Sequence, residues 1–499
     1  MKEYDCIIIG AGIGGLAAGL KLSYSGKKVL VIEKQTVCAG LATTFTRKGF
    51  VFESSLHCVD SLGEGGEVRE FLEEFGVDKM VEFIELKDFC RLIYPDHDFL
   101  VDFNCDNLAA SLKKDFPAES KNIDRLFREY KKFFEQFDRF CDLKLPGWIV
   151  MLILPFRFPL LIKTSLISVE QFISKFISDP KLASVITDIW RFVGLPPRRL
   201  AALYYLLVFK GYYYSHTAYI KGGFMRLFEA IVKKIKEQGS EVRFNTSIKK
   251  IIVEGRVVKG VVTDRDEKIL SKTVISNANA IETLTELIDD PLLAKNYSQQ
   301  LARIEKSISA VQVYLGLDIP AKELGMDHFM FSINTTYDHN ESFDFSLKQD
   351  YQRCSLLLTD HAQIDPSVVP AGKGSILIIS FDTFQHWSKF AKEEYRIKKI
   401  EVARQFIERV EKYLPGLSKH IEIMEVATPL TIARYGSSPE GAIYGFAQTI
   451  PQSGMNRLSQ ETKVKGLYLA GAWTRPGGGA HACFVSGRDA AELALRYLR

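Results

Sequence analysis

Apolar positions along this chain follow two periods, and the order in which they alternate predicts its layout. Cys6 to Ile9 is an unbroken apolar run, read as a strand buried on both faces. A glycine-rich turn and a helix come next, then a second apolar strand, Lys28 to Glu33. From Gly65 to about Lys144 the spacing becomes helical, with Val68, Phe71, Leu72 and Phe75 on one stripe and Leu126, Tyr130, Phe133, Phe134 and Phe137 on another. After Lys221-Gly222-Gly223-Phe224 the pattern predicts a helix from Met225 to Gln238, strands at 241–244, 248–253 and 257–263, and a strand ending in Val274-Ile275-Ser276-Asn277-Ala278. Between Ile304 and Pro429 strands such as Ala310 to Leu317 and Ser375 to Phe381 alternate with a helix from Lys392 to Tyr413. A last strand, glycine turn and helix, the helix from about Val485, repeat the physics of the opening.

Two hydrophobic stretches stand out. In Leu145 to Lys163 the longest uninterrupted apolar run is Trp148 to Leu154, and Pro155, Arg157, Pro159 and Lys163 break the remainder of the segment. A membrane span needs about 20 predominantly apolar residues, so this segment does not cross a bilayer. Two readings stand side by side: a core segment, or a surface lying in the membrane interface or at the mouth of an apolar tunnel. Leu203 to Tyr214, rich in tyrosine, adds weight to a lipophilic site.

The chemistry begins at Gly10-x-Gly12-x-x-Gly15. Between a buried strand and a helix, these glycines form a phosphate cradle: a tight turn, a close backbone approach, and free N–H groups at a helix N-terminus. Glu33 closes the next strand about 20 residues on, where a carboxylate accepts hydrogen bonds from a ribose, so the unit binds an adenine dinucleotide. A second glycine turn, Cys38-Ala39-Gly40-Leu41-Ala42-Thr43-Thr44, suits the rest of a long cofactor such as FAD, or is a plain loop into a hairpin. His57 just beyond it is read either as a neighbour of that cofactor or as a satisfied core histidine. With a single dinucleotide fingerprint, no separate nicotinamide site is indicated.

Composition narrows the picture. At 499 residues the chain exceeds one ordinary core, which predicts two domains or one with a large insertion. A net charge of only +4 gives no electrostatic case for nucleic acid. With 34 Phe and 20 Tyr, extensive apolar contact surfaces are expected. The eight cysteines form no CxxC pair and are read as reduced thiols in a cytoplasmic setting, with no metal site. The first strand starts within a few residues of Met1, which is read as leaving no room for a signal peptide.

The glycine motif with Glu33, Lys221-Gly-Gly-Phe224, Val274 to Ala278, and Gly466-Leu-Tyr-Leu-Ala-Gly471-Ala-x-Thr-x-Pro-Gly-Gly-Gly479 with Ser486-Gly487-Arg488 resemble the phytoene desaturase, carotenoid isomerase and retinol saturase group of FAD flavoproteins. They span nearly the whole chain. The Thr428-Pro-Leu-Thr431 and Glu440-Gly-Ala-Ile-Tyr444 stretches are similar to the isomerase and saturase branch, and Thr474-x-Pro-Gly-Gly-Gly479 to the desaturase branch, so the subfamily stays open. The resemblance implies an α/β protein with a discontinuous Rossmann-type FAD-binding domain (1–95, 215–300 and 430–499) and an inserted α+β substrate and membrane-facing domain (96–214 and 301–429, its apolar segment at 146–167). It also implies that Gly10, Gly12, Gly14 and Gly15 hold the pyrophosphate and that Glu33 and Lys34 lie at the ribose. Gly40, Leu41, Ala42 and Thr43 would run along the pyrophosphate and ribityl chain, Ile248 near the adenine, and Gly471, Ala472, Ala480, His481 and Ala482 near the ribityl chain and flavin.

Two departures matter: Ala39-Gly40-Leu41 stands where relatives often have Gly-Gly-Arg, and Ala472 where many place an Asp. The expected reaction is hydride transfer at a carbon–carbon bond of a long apolar polyene or isoprenoid, with peripheral membrane contact and His57 or His481 as the proton-handling group. Two rivals are an amine oxidase, which shares the fold, and a non-catalytic prenyl-binding protein of the Rab GDP-dissociation-inhibitor type.

Overall fold

The computed structural model describes residues 3–86, 88–143, 145 and 147–499. At its centre lies the strand Glu3–Ile9, all but its first residues buried, paired in parallel with Val29–Ile32 on one side and Lys268–Ser276 on the other. Glu241–Arg243 extends this sheet in parallel beyond Val29–Ile32. Lys268–Ser276 then divides its partners: its C-terminal half pairs in parallel with Leu467–Leu469, while its N-terminal half takes the antiparallel hairpin of Ile248–Glu254 and Val257–Thr263. One sheet therefore gathers strands from the start, middle and end of the chain. The helices Ile13–Tyr24, Met225–Glu237 and Ala480–Tyr497 share one core on it, through Leu16, Leu20, Phe228, Ile231, Ala490 and Ala494.

A second sheet of seven strands runs in the order Ile421–Ala427, Ser309–Leu317, Gly374–Asp382, Leu356–Thr359, Met330–Ile333, Asp88–Ile93, Asp98–Asp102. All of its pairs are antiparallel except Met330–Ile333 with Asp88–Ile93. This corrects two expectations. The stretch from Gly65 to Lys144 is not helical throughout, and a boundary at residue 95 falls between two paired strands of the second sheet. In Asp98–Asp102 the buried Phe99 and Val101 alternate with a Leu100 that is 55% exposed, so an apolar outward residue hides the period of two.

The inserted helices follow their aromatic stripes. Cys105–Asp115, Ser120–Cys141 and Ala202–Tyr214 bury Tyr130, Phe133, Tyr205 and Phe209 in one cluster with Trp190 and Phe172. The apolar segment forms two short helices, Gly147–Arg157 and Pro159–Ser165, with Phe158 between them. Leu154, Phe158 and Leu161 join the core, as the core reading expects of part of the segment, whereas Leu152, Phe156 and Leu166 are 64%, 88% and 66% exposed. The side chain of Trp148 lies outside the described residues. Among the described residues no helix is long and apolar enough to cross a membrane, and no cluster of side chains is arranged to hold a metal ion.

Candidate active site

Local sterics explain the first turn. Gly10 has φ +93°, a conformation that an L side chain resists. A Cβ on Gly15 would stand 2.0 Å from the Gly10 carbonyl oxygen, so only glycine lets the helix fold back onto its strand. A Cβ on Gly487 would stand 2.1 Å from the Gly14 oxygen, which places the first and last helices in backbone contact. Both helices begin at glycines, Gly12 and Gly479, with no side chain capping them. Their N-termini border one cavity, leaving N–H groups and two positive dipole ends for an anion.

Glu33 is held at the wall of that cavity, its carboxylate accepting the N–H of Ala11 at 2.8 Å and of Gln35 at 2.9 Å. Gly10, Gly12, Gly14, Lys34, Gly40, Leu41, Ala42, Ile248, Gly471, Ala472 and Ala480 line the same space. Gly15 lies behind it, and Thr43 and Ala482 do not line it. Leu41, at the position where relatives often carry arginine, packs on Gly436 so closely that a Cβ there would meet it at 2.3 Å. Ala472 presents its carbonyl to the Nη2 of Arg457 at 2.6 Å.

Nothing in the sequence marks Arg457. It is buried and also donates to the carbonyls of Phe446 and Thr474, so one guanidinium fixes the loop before the last helix. No carboxylate pairs with it in these bonds, and burial pulls its pKa down to about 10.

Asn277 lies in a motif visible in the sequence, yet its role comes only from the structure. It follows the central strand Lys268–Ser276, and a Cβ on Gly12, Gly14 or Gly471 would fall 2.7, 2.7 or 2.5 Å from its amide. The amide thus sits between the two glycine turns, with no side-chain partner among the described residues, and it lines the cavity. The carboxyl ends of parallel strands are where such sheets bind ligands.

The two histidines part company. His57 lines the cavity, buried, with Nδ1 2.6 Å from the Thr359 hydroxyl and its ring stacked 6.4 Å from that of His361. Burial, aided by His361, lowers its pKa to about 3, so it is a neutral imidazole. His481 does not line the cavity, so of the two candidate histidines only His57 stands at its wall among the described residues. The last helix starts at Ala480, earlier than expected, and its first turn aims this ring away, with Nδ1 donating to Asp60 at 2.8 Å and Nε2 to Glu67 at 3.0 Å. Burial opposes its charge, but the two carboxylates prevail and raise its pKa to about 10.

Beyond the glycine turns the cavity continues between the sheets, walled by Phe192, Leu357, Ile379, Phe381, Ile443 and Tyr444. Arg191 also lines the cavity. A dinucleotide cradle thus opens into an apolar chamber. The family model for flavin containing amine oxidoreductases matches residues 13–495, and the chain belongs to that family. The chain is 28% identical to the prolycopene isomerase of Daucus carota over 99% of its own length and 81% of that protein. It is 26% identical to the 4,4'-diapophytoene desaturase of Methylomonas sp, covering 98% and 94%. An oxidoreductase structure from Methanosarcina mazei shares the fold at 17% identity, with a TM-score of 0.66 over 98% of this chain and 100% of that one.

Proposed function

We propose that this enzyme binds FAD non-covalently and acts on a carbon–carbon bond of a long apolar polyene or isoprenoid, as a desaturase, saturase or isomerase. The observation that carries the reading is the continuity of the cavity, from two uncapped helix N-termini and the buried Glu33 to a chamber walled by aromatic and aliphatic side chains. The glycine turns, Glu33 and Asn277 suit the phosphates and sugars of FAD, and the backbone at Gly471 to Ala480 suits the flavin end. FAD, when bound, supplies hydride transfer. The chain's own residues orient the polyene, keep water out and hold His57 as a neutral imidazole beside the reacting space, where it exchanges hydrogen bonds rather than charge.

The amine-oxidase alternative is disfavoured by charge. The chamber's walls at Phe192, Leu357, Ile379, Phe381 and Ile443 offer an ammonium no carboxylate, and the Asp188 carboxylate is already paired with Arg191. Substrate would enter from a bilayer: exposed Leu152, Phe156 and Leu166 beside Arg157 and Lys163 support peripheral contact with an anionic membrane surface. The eight free cysteines suit a reducing, cytoplasmic compartment.

The test is the visible spectrum of the purified protein under anaerobic conditions. A flavin band that bleaches on adding a carotenoid or isoprenoid supports desaturation. Reoxidation by polyene after chemical reduction supports saturation, and isomer turnover without net bleaching supports isomerisation. No flavin after reconstitution with FAD would sink the proposal.

A further inference from the structure

Among the polar side chains that line the cavity, Arg191 carries a formal charge beside the apolar walls. Its side chain is only 4% exposed and that of Asp188 is 9%. Nε donates to one Asp188 oxygen at 3.1 Å, Nη2 donates to the other at 2.6 Å, and Nη2 also reaches the Asn334 side-chain oxygen at 3.0 Å. The supporting groups are themselves tied down: Ser332 Oγ donates to Asp188 at 3.2 Å, and Asn334 Nδ2 donates to Ser332 Oγ at 3.0 Å. Two of the three guanidinium nitrogens are thus fixed in a rigid fork. Nη1 has no protein partner among the described residues, and the residue lines the apolar lobe of the cavity. Nη1 thus keeps its two charged N–H groups without a protein acceptor at a cavity wall, where an acceptor supplied by a ligand would complete a charge-assisted hydrogen bond.

We propose that Nη1 of Arg191 receives an oxygen atom carried by the substrate's otherwise apolar chain, so that the enzyme selects oxygenated polyenes over the bare hydrocarbon. This rests on the polyene reading above. The charge balance specifies the oxygen further. Asp188 already neutralises Arg191, and His57 in the same wall is uncharged, so a carboxylate would be buried without a counter-charge, whereas an alcohol or aldehyde brings an acceptor and no net charge. The sequence carried a faint signal, Asp188-x-x-Arg191 in an apolar-aromatic stretch.

The experiment titrates the FAD-loaded enzyme with all-trans-retinol, retinal, retinoic acid and the deoxy hydrocarbon of the same chain, reading the shift of the flavin band. The alcohol and aldehyde are expected to bind about tenfold tighter than the hydrocarbon, the difference one charge-assisted hydrogen bond supports, and the acid no tighter than the hydrocarbon. Because Arg191→Met alone strands a buried Asp188, the variant to compare is the double Asp188→Asn, Arg191→Met, in which the preference should vanish while hydrocarbon binding persists. Equal binding of alcohol and hydrocarbon by the wild type would overturn the inference and leave the polyene reading intact. Tightest binding by the acid would overturn the choice of a neutral oxygen. A flavin band that no member of the series perturbs would overturn both.

Discussion

Burial alone would strip the proton from His481, yet Asp60 and Glu67 hold it, and its pKa stands at about 10. The ring then works as a cationic clamp between the start of the last helix, the loop at Asp60 and the helix Glu67–Glu74. Its stabilisation has a definite pH window. The folded pKa lies above the ordinary histidine value of about 6.5, so the contribution is complete below that pH and is lost as pH rises towards about 10. At the acid end the partner behaves oppositely: Glu67, held down to about 2 chiefly by its bond to His481, contributes above its ordinary range and loses that contribution as pH falls towards 2. Replacing His481 by Gln should cost about 2 kcal/mol at pH 6, between the worth of an exposed and a buried ion pair. Denaturant melts at pH 6 and pH 10 check this, because the two proteins should converge in stability at the higher pH. A gap that persists at pH 10 would mean the ring acts by packing.

Among the elements, the pair of helices Gly147–Arg157 and Pro159–Ser165 has the clearest consequence outside the cavity. Leu154, Phe158 and Leu161 anchor it to the aromatic core, so substitutions of the outward residues should leave the fold intact. Leu152→Glu with Phe156→Glu should abolish co-sedimentation with vesicles containing anionic lipid while the melting temperature moves by no more than about 2 °C; unchanged sedimentation would dismiss the membrane surface. The same elements show what periodicity conveys. Val257–Thr263 appears at its expected bounds, and Met225–Glu237 and Lys392–Glu411 end within two residues of theirs, because each pairs a strong period with polar or glycine punctuation. Asp88–Ile93 escaped because a short strand takes its identity from a partner, here Met330–Ile333, far away in sequence.

At the scale of the whole molecule, the cradle was legible because strand, glycines, helix and Glu33 are contiguous, whereas Asn277 and Arg457 act by tertiary placement that spacing does not encode. That placement also predicts how the cofactor couples to stability. The first and last helices touch at Gly14 and Gly487, yet they come from opposite ends of the chain, and Asn277 sits between their glycine turns with its amide unbonded to protein among the described residues. A dinucleotide spanning this seam would tie together segments that otherwise meet through close backbone packing, and it would do so only in the folded state. FAD at about 100 times its dissociation constant should therefore stabilise the enzyme by about 2.7 kcal/mol, raising its unfolding temperature in proportion to the logarithm of free FAD. If Asn277 supplies a hydrogen bond to a charged phosphate, Asn277→Ala should weaken FAD binding about tenfold and shrink that rise, while the cofactor-free protein unfolds as the wild type does, since no protein bond is lost. Differential scanning fluorimetry across an FAD series measures both quantities. Equal FAD affinity in the variant would place Asn277 outside the cofactor's contacts, and a fall in the cofactor-free unfolding temperature would make it a structural spacer between the glycine turns.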